Sequence, residues 1–68
     1  MIKILYPDGT YYYGELSNDN YQGYGYRLYR DSVYYGFFDR GKRVEGGMKT
    51  IEGNGFIGKF DEYEYPVV

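Results

Sequence analysis

The sequence predicts an all-β protein, a single twisted antiparallel meander of about six strands built from three 22-residue hairpin repeats. Three observations lead there. Matching residues recur at a spacing of 22: Tyr12, Tyr34 and Phe56, then Gly14, Gly36 and Gly58, then Leu16, Phe38 and Phe60. The segments YYGEL, YYGFF and FIGKF are therefore three copies of one unit. Between them, short runs rich in Tyr, Phe, Val and Ile alternate with polar turns, and no segment repeats apolar residues at helical spacing. The turns themselves carry Gly, Asn, Asp and Ser, residues that tolerate a reversal of the chain.

The elements follow in order. A first strand over 2–6 ends at Pro7-Asp8-Gly9, and a second over 11–17 ends at Asn18-Asp19-Asn20. A third over 24–29 gives way to Arg30-Asp31-Ser32, and a fourth over 33–38 to Arg40-Gly41. A fifth over 46–51 precedes Gly53-Asn54-Gly55, a sixth spans 56–60, and residues 63–67 form a ragged seventh. The whole, 1–68, reads as one domain with copies at 2–23, 24–45 and 46–67.

Strand alternation puts Tyr12, Gly14 and Leu16 on one face, with Tyr34, Gly36, Phe38, Phe56, Gly58 and Phe60 as their counterparts. Each glycine leaves a notch in which a ring can lie flat across the backbone. The other face carries Tyr11, Tyr13, Val33, Tyr35, Phe37 and Ile57. A second apolar face is unusual, because an antiparallel sheet ordinarily turns one polar side to water.

Composition bounds the rest. A chain of 68 residues has a thin core, and with no Cys or His it has neither a disulfide nor a zinc site to supplement it. Aromatics make up 24% of the residues, 12 of them Tyr, so the interior is built of rings. There is no signal-peptide pattern and no stretch near the ~20 apolar residues of a membrane span, and cysteine-free composition fits a reducing compartment. The expectation is a soluble cytoplasmic chain. A net charge of -2 argues against nucleic acid as a partner. Charge is uneven, however: residues 24–45 hold Arg27, Arg30, Arg40, Lys42 and Arg43, whereas the tail carries Asp61, Glu62 and Glu64.

The Tyr-x-Gly-x-Leu/Phe units, with the Gly23 and Gly25 pair that follows the first, resemble MORN repeats, the hairpin units of the membrane occupation and recognition nexus family. The resemblance covers about residues 8–61 and implies a hairpin-repeat sheet linked with membranes and phosphoinositides. Arg40-Gly41-Lys42 is similar to that family's turn. The sequence departs where Glu45 replaces the first glycine of the second pair, and where Tyr stands for the family's frequent Trp. Gly46-Gly47-Met48-Lys49-Thr50 is also similar to choline- and glucan-binding repeats, but their ligand cage needs Trp, which is absent.

Functional expectations follow from these residues. Catalysis has little to stand on without His or Cys, since Thr10, Ser17 and Ser32 sit in or beside turns; the chain is expected to be no enzyme and to need no cofactor. Asn18, Asp19 and Asn20 lack the rest of a calcium loop, so no metal is expected either. The Tyr-rich second face, with Tyr11, Tyr13, Tyr35 and Phe37, is the candidate surface for a protein partner, because Tyr offers large stiff contact area with a polar tip. The first strand, guarded only by Lys3, is a candidate pairing edge through Ile2, Ile4 and Tyr6, giving a homodimer or a joint sheet, whereas Glu62, Glu64 and Pro66 blunt the last strand. Arg40, Lys42 and Arg43 form a basic turn, the alternative reading being an anionic-lipid site. A small acidic inhibitor of a larger enzyme is the remaining alternative.

Overall fold

Six antiparallel strands follow one another in a single open sheet, and a computed structural model describes all of it, residues 1–68. In chain order they are β1 (Ile2–Leu5), β2 (Tyr11–Ser17), β3 (Asn20–Leu28), β4 (Ser32–Asp39), β5 (Lys42–Thr50) and β6 (Gly55–Lys59), each hydrogen-bonded to the next. The all-β meander expected from the sequence is present. No helix is long and apolar enough to cross a membrane.

The turns explain where the strands begin. Asn18 and Asp19 lie at φ of 51° and 63°, and Arg40 and Gly41 at 51° and 86°. Paired positive angles make two-residue type I′ hairpins, whose twist continues the ladder up to the loop. β3 and β5 therefore start at Asn20 and Lys42, four residues ahead of the expected 24 and 46. The polar run-ins NYQG and KRVE concealed them. At the sheet's other end the loops are wider. Gly9, at φ 91°, donates to Tyr6 O, while Asp8 Oδ1 accepts the Thr10 N–H at 3.0 Å and its hydroxyl at 2.7 Å. Those bonds hold the Asp8 carboxyl below its usual range. The expected seventh strand is replaced by a turn. Asp61 Oδ1 gathers the N–H groups of Tyr63 and Tyr65, and a single bridge between Phe60 and Pro66 stands where a paired strand was expected. Proline has no N–H to extend a ladder.

The sheet buries one of its faces on itself. Tyr12, Tyr34 and Phe38 are 0% exposed, with Phe60 beside them. Each tyrosine lies over a pair of glycines opposed on neighbouring strands: Tyr12 over Gly14 and Gly25, Tyr34 over Gly36 and Gly46. The ring that fills the notch thus comes from two residues earlier on the same strand. Its hydroxyl then donates onward, Tyr12 to Glu15 O at 2.7 Å and Tyr34 to Phe37 O at 2.9 Å. Phe56 covers Gly58 in the same way. Between these rings, Phe38 meets Tyr12 and Tyr34 edge-on at 5.5 and 5.0 Å, and Phe60 meets Tyr34 and Phe56 at 5.5 Å each. Edge-to-face pairs add about 0.5–1.5 kcal/mol each to the area they bury.

Gly25 and Gly47 also recur at the 22-residue spacing, but the pairing does not follow that equivalence. Opposite Gly36 stands Gly46, where the spacing points from Gly25 to Gly47. Bulges cause the slip. Three residues, Gln22 to Tyr24, face Glu15 across β2 and β3, whereas Val44 alone is extra between β4 and β5. The larger bulge needs Gly23 at φ 85°; the smaller one needs no positive φ there, which accommodates Glu45.

Burial raises the hydroxyl pKa of Tyr12, Tyr29 and Tyr34, and that of Tyr21 to about 12. A pKa raised in the folded state favours the neutral phenol. Its stabilisation is intact below the ordinary value of 10.0 and is lost as pH climbs through the raised values. Melting temperature should therefore fall between pH 10 and about 12, with tyrosinate absorbance appearing together with loss of circular dichroism. Phenols that all titrate smoothly in an intact sheet would contradict this burial.

Candidate protein-binding face

On the outer face, ladder pairing lines up residues in rows across the strands. One row runs Lys3, Tyr13, Tyr26, Tyr35, Gly47, Ile57, crossing all six strands. Flanking it are Leu5, Tyr11, Leu28, Val33 and Lys49 on one side, and Tyr24, Phe37, Glu45 and Lys59 on the other. The four residues singled out for this face, Tyr11, Tyr13, Tyr35 and Phe37, do share it. Tyr13 and Tyr35 are 47% and 60% exposed, while Tyr11 and Phe37 are half-buried by neighbours. Tyr11 stacks on Tyr26 at 5.8 Å with Lys3 Nζ 4.6 Å above its ring, and Phe37 meets Tyr24 edge-on at 5.4 Å.

Tyr24, Tyr26 and Leu5 also belong to the surface, and Ile57 is 90% exposed. The signal for Tyr24 and Tyr26 was available in the alternation around Gly25, had that glycine been recognised as a core-face residue. Gly47 differs from the core-face glycines. A β-carbon there would meet only Ile57 Cγ1, at 3.8 Å. It floors a shallow hollow between Tyr35 and Ile57, rimmed by Tyr24, Phe37 and Val44.

The basic turn is less concentrated than its sequence. Arg40 pairs with its neighbour Asp39 at 3.4 Å, and Lys42 Nζ donates to Glu62 O at 3.1 Å. Arg43 turns to the core face, where its guanidinium lies over Tyr29 and Phe60 at 5.4 and 5.1 Å and donates to Glu64 O at 2.8 Å. Asp39, Asp61 and Glu62 line the same hollow as the three cations, so an incoming anion meets near-neutral surroundings. Sequence reasoning missed this Arg43 stack and its twin, Arg27 over Tyr6 and Tyr29 at 4.8 Å each.

Of the edge residues, Ile2 and Ile4 lie in β1, whereas Tyr6 falls beyond it. Tyr6 donates its N–H to Thr10 O, and its hydroxyl meets that of Tyr21 on the core face. It is a turn residue, because the strand must stop to enter the Pro7 loop.

The chain matches no protein-family model, no curated protein and no solved structure.

Proposed function

We propose that this chain is a non-catalytic interaction module of MORN type, whose outer aromatic face binds a protein partner in the cytoplasm. One observation carries the reading: a row of tyrosines on adjacent strands, flanked by further apolar groups, is left uncovered while the opposite face holds the buried ring cluster. Contiguous apolar patches of this kind mark interaction sites, and Tyr anchors lose little entropy when they are buried. The Gly47 hollow would take an apolar or aromatic side chain from the partner, as Gly14 and Gly36 take rings within the chain. The MORN likeness rests on the recurring Tyr-x-Gly-x-Leu/Phe units, and the compartment on the cysteine-free composition.

The test is site-resolved capture. A photoreactive aromatic placed at Tyr13 or at Tyr35 should trap the same protein, and one placed at the remote turn residue Glu52 should not. Replacing Tyr13, Tyr24 and Tyr35 by Ser should abolish that capture while leaving the melting temperature within about 5 °C. Capture independent of position, or unaffected by the serines, would sink the reading. Flotation with anionic liposomes that is lost on reversing Arg40 and Lys42 would transfer the function to lipid.

A further inference from the structure

We propose that two copies of this chain join through β1, antiparallel and two-fold symmetric, with Ile4 opposite Ile4 of the second copy. This goes beyond the aromatic-face reading and does not rest on it. Tyr6 donates its N–H to Thr10, and Ile4 and Ile2 pair with Tyr12 and Gly14 in the same ladder. Hydrogen-bonded and open pairs alternate along an antiparallel ladder. Ile2, Ile4 and Tyr6 therefore turn their N–H and C=O groups inward, and Lys3 and Leu5 turn theirs out of the sheet, where no strand of the chain lies.

Only one symmetric register satisfies those outward groups without setting like charges side by side. Setting Lys3 against Lys3 brings two ammonium groups together, which a cross-strand pair does not tolerate well. Setting Leu5 against Leu5 places Lys3 opposite Pro7, which has no N–H to give. Lys3 against Leu5 exchanges full hydrogen bonds on both sides of the axis. It lays the Lys3 stem along an apolar neighbour and brings Ile4 to Ile4 and Ile2 to Tyr6 on the core face. Leu5, 73% exposed, and Ile2, 45% exposed, would both be covered.

The opposite edge argues for two copies rather than a fibre. There Val67 donates its N–H to Lys59 O at 2.9 Å, and the Phe60 to Pro66 bridge occupies the path of a seventh strand. An edge guarded at one end of the sheet and open at the other closes after a single pairing.

Light scattering over a micromolar concentration series should show a shift from one chain mass to two. Leu5→Pro should weaken that association by on the order of ten-fold or more, because it removes an outward N–H and an apolar side chain at the seam but no hydrogen bond of the β1–β2 ladder, with circular dichroism unchanged. Should that variant fail to fold, single cysteines decide. Directly opposed residues of an open pair lie at about 4.5 Å between Cα atoms, within disulfide reach. Ile4→Cys should thus form a covalent dimer under glutathione far faster than Lys3→Cys, whose thiols sit diagonally apart. A chain that stays monomeric throughout, or equal rates for the two cysteines, would overturn the proposal.

Discussion

Gly46→Ala should unfold the protein or come close to it, while Gly47→Ala, one residue on, should be neutral or slightly stabilising. A β-carbon on Gly46 would run into Tyr35 O and lie 2.7 Å from Gly36 Cα and 3.0 Å from the Tyr34 hydroxyl. The first two obstacles are backbone, so relief means prising β4 from β5 or expelling the Tyr34 ring. That costs at least about 3 kcal/mol, against a total stability of roughly 3–10 kcal/mol for a chain of this length. At Gly47 the nearest neighbour is 3.8 Å away and the backbone is extended, so alanine gains up to about 1 kcal/mol from chain entropy. Urea melts of the two variants check the pair. Equal destabilisation would mean that rings over opposed glycines do not hold the core.

Arg43→Ala should lower stability by about 2–4 kcal/mol, several times the loss expected from an exposed arginine. The guanidinium sits between Tyr29 and Phe60, its side chain only 15% exposed, and holds the tail through Glu64 O. Its Nε is 3.5 Å from Glu64 Oε1, near enough to attract but not aligned to hydrogen-bond; that carboxylate accepts the Arg43 backbone N–H instead, at 3.1 Å. Stacking and the Glu64 carbonyl therefore carry more of the effect than the ion pair does. Glu64→Gln should cost about 1 kcal/mol or less, and Arg43→Lys should not rescue, since an ammonium cannot lie flat between two rings. Hydrogen exchange at Val67 should accelerate in Arg43→Ala. An unchanged melt would show the stack to be ornamental.

The residues that announced the fold are those whose partners lie on the same strand. Tyr12 and Gly14, or Tyr34 and Gly36, are two apart, so period-two alternation alone places them on one face and Tyr13 and Tyr35 on the other. What stayed hidden depends on pairing between strands. The 22-residue spacing singles out Gly47, and only the bulge at Val44 turns Gly46 toward Gly36 instead. Arg43 belongs to a basic run in the sequence, yet its partners are Tyr29, Phe60 and Glu64. No local pattern links those positions. The polar run-ins at Asn20 and Lys42 read as loop because tight I′ turns, rather than composition, make them strand.

Sidedness is the claim beneath both the core and the proposed binding face, and residue-resolved tyrosine nitration read by mass spectrometry tests it most directly. Tyr13, Tyr24 and Tyr35 should react early in the folded protein, and Tyr12 and Tyr34 should stay unmodified until it unfolds. Comparable rates for the two sets, or protection of Tyr13 and Tyr35, would contradict that claim.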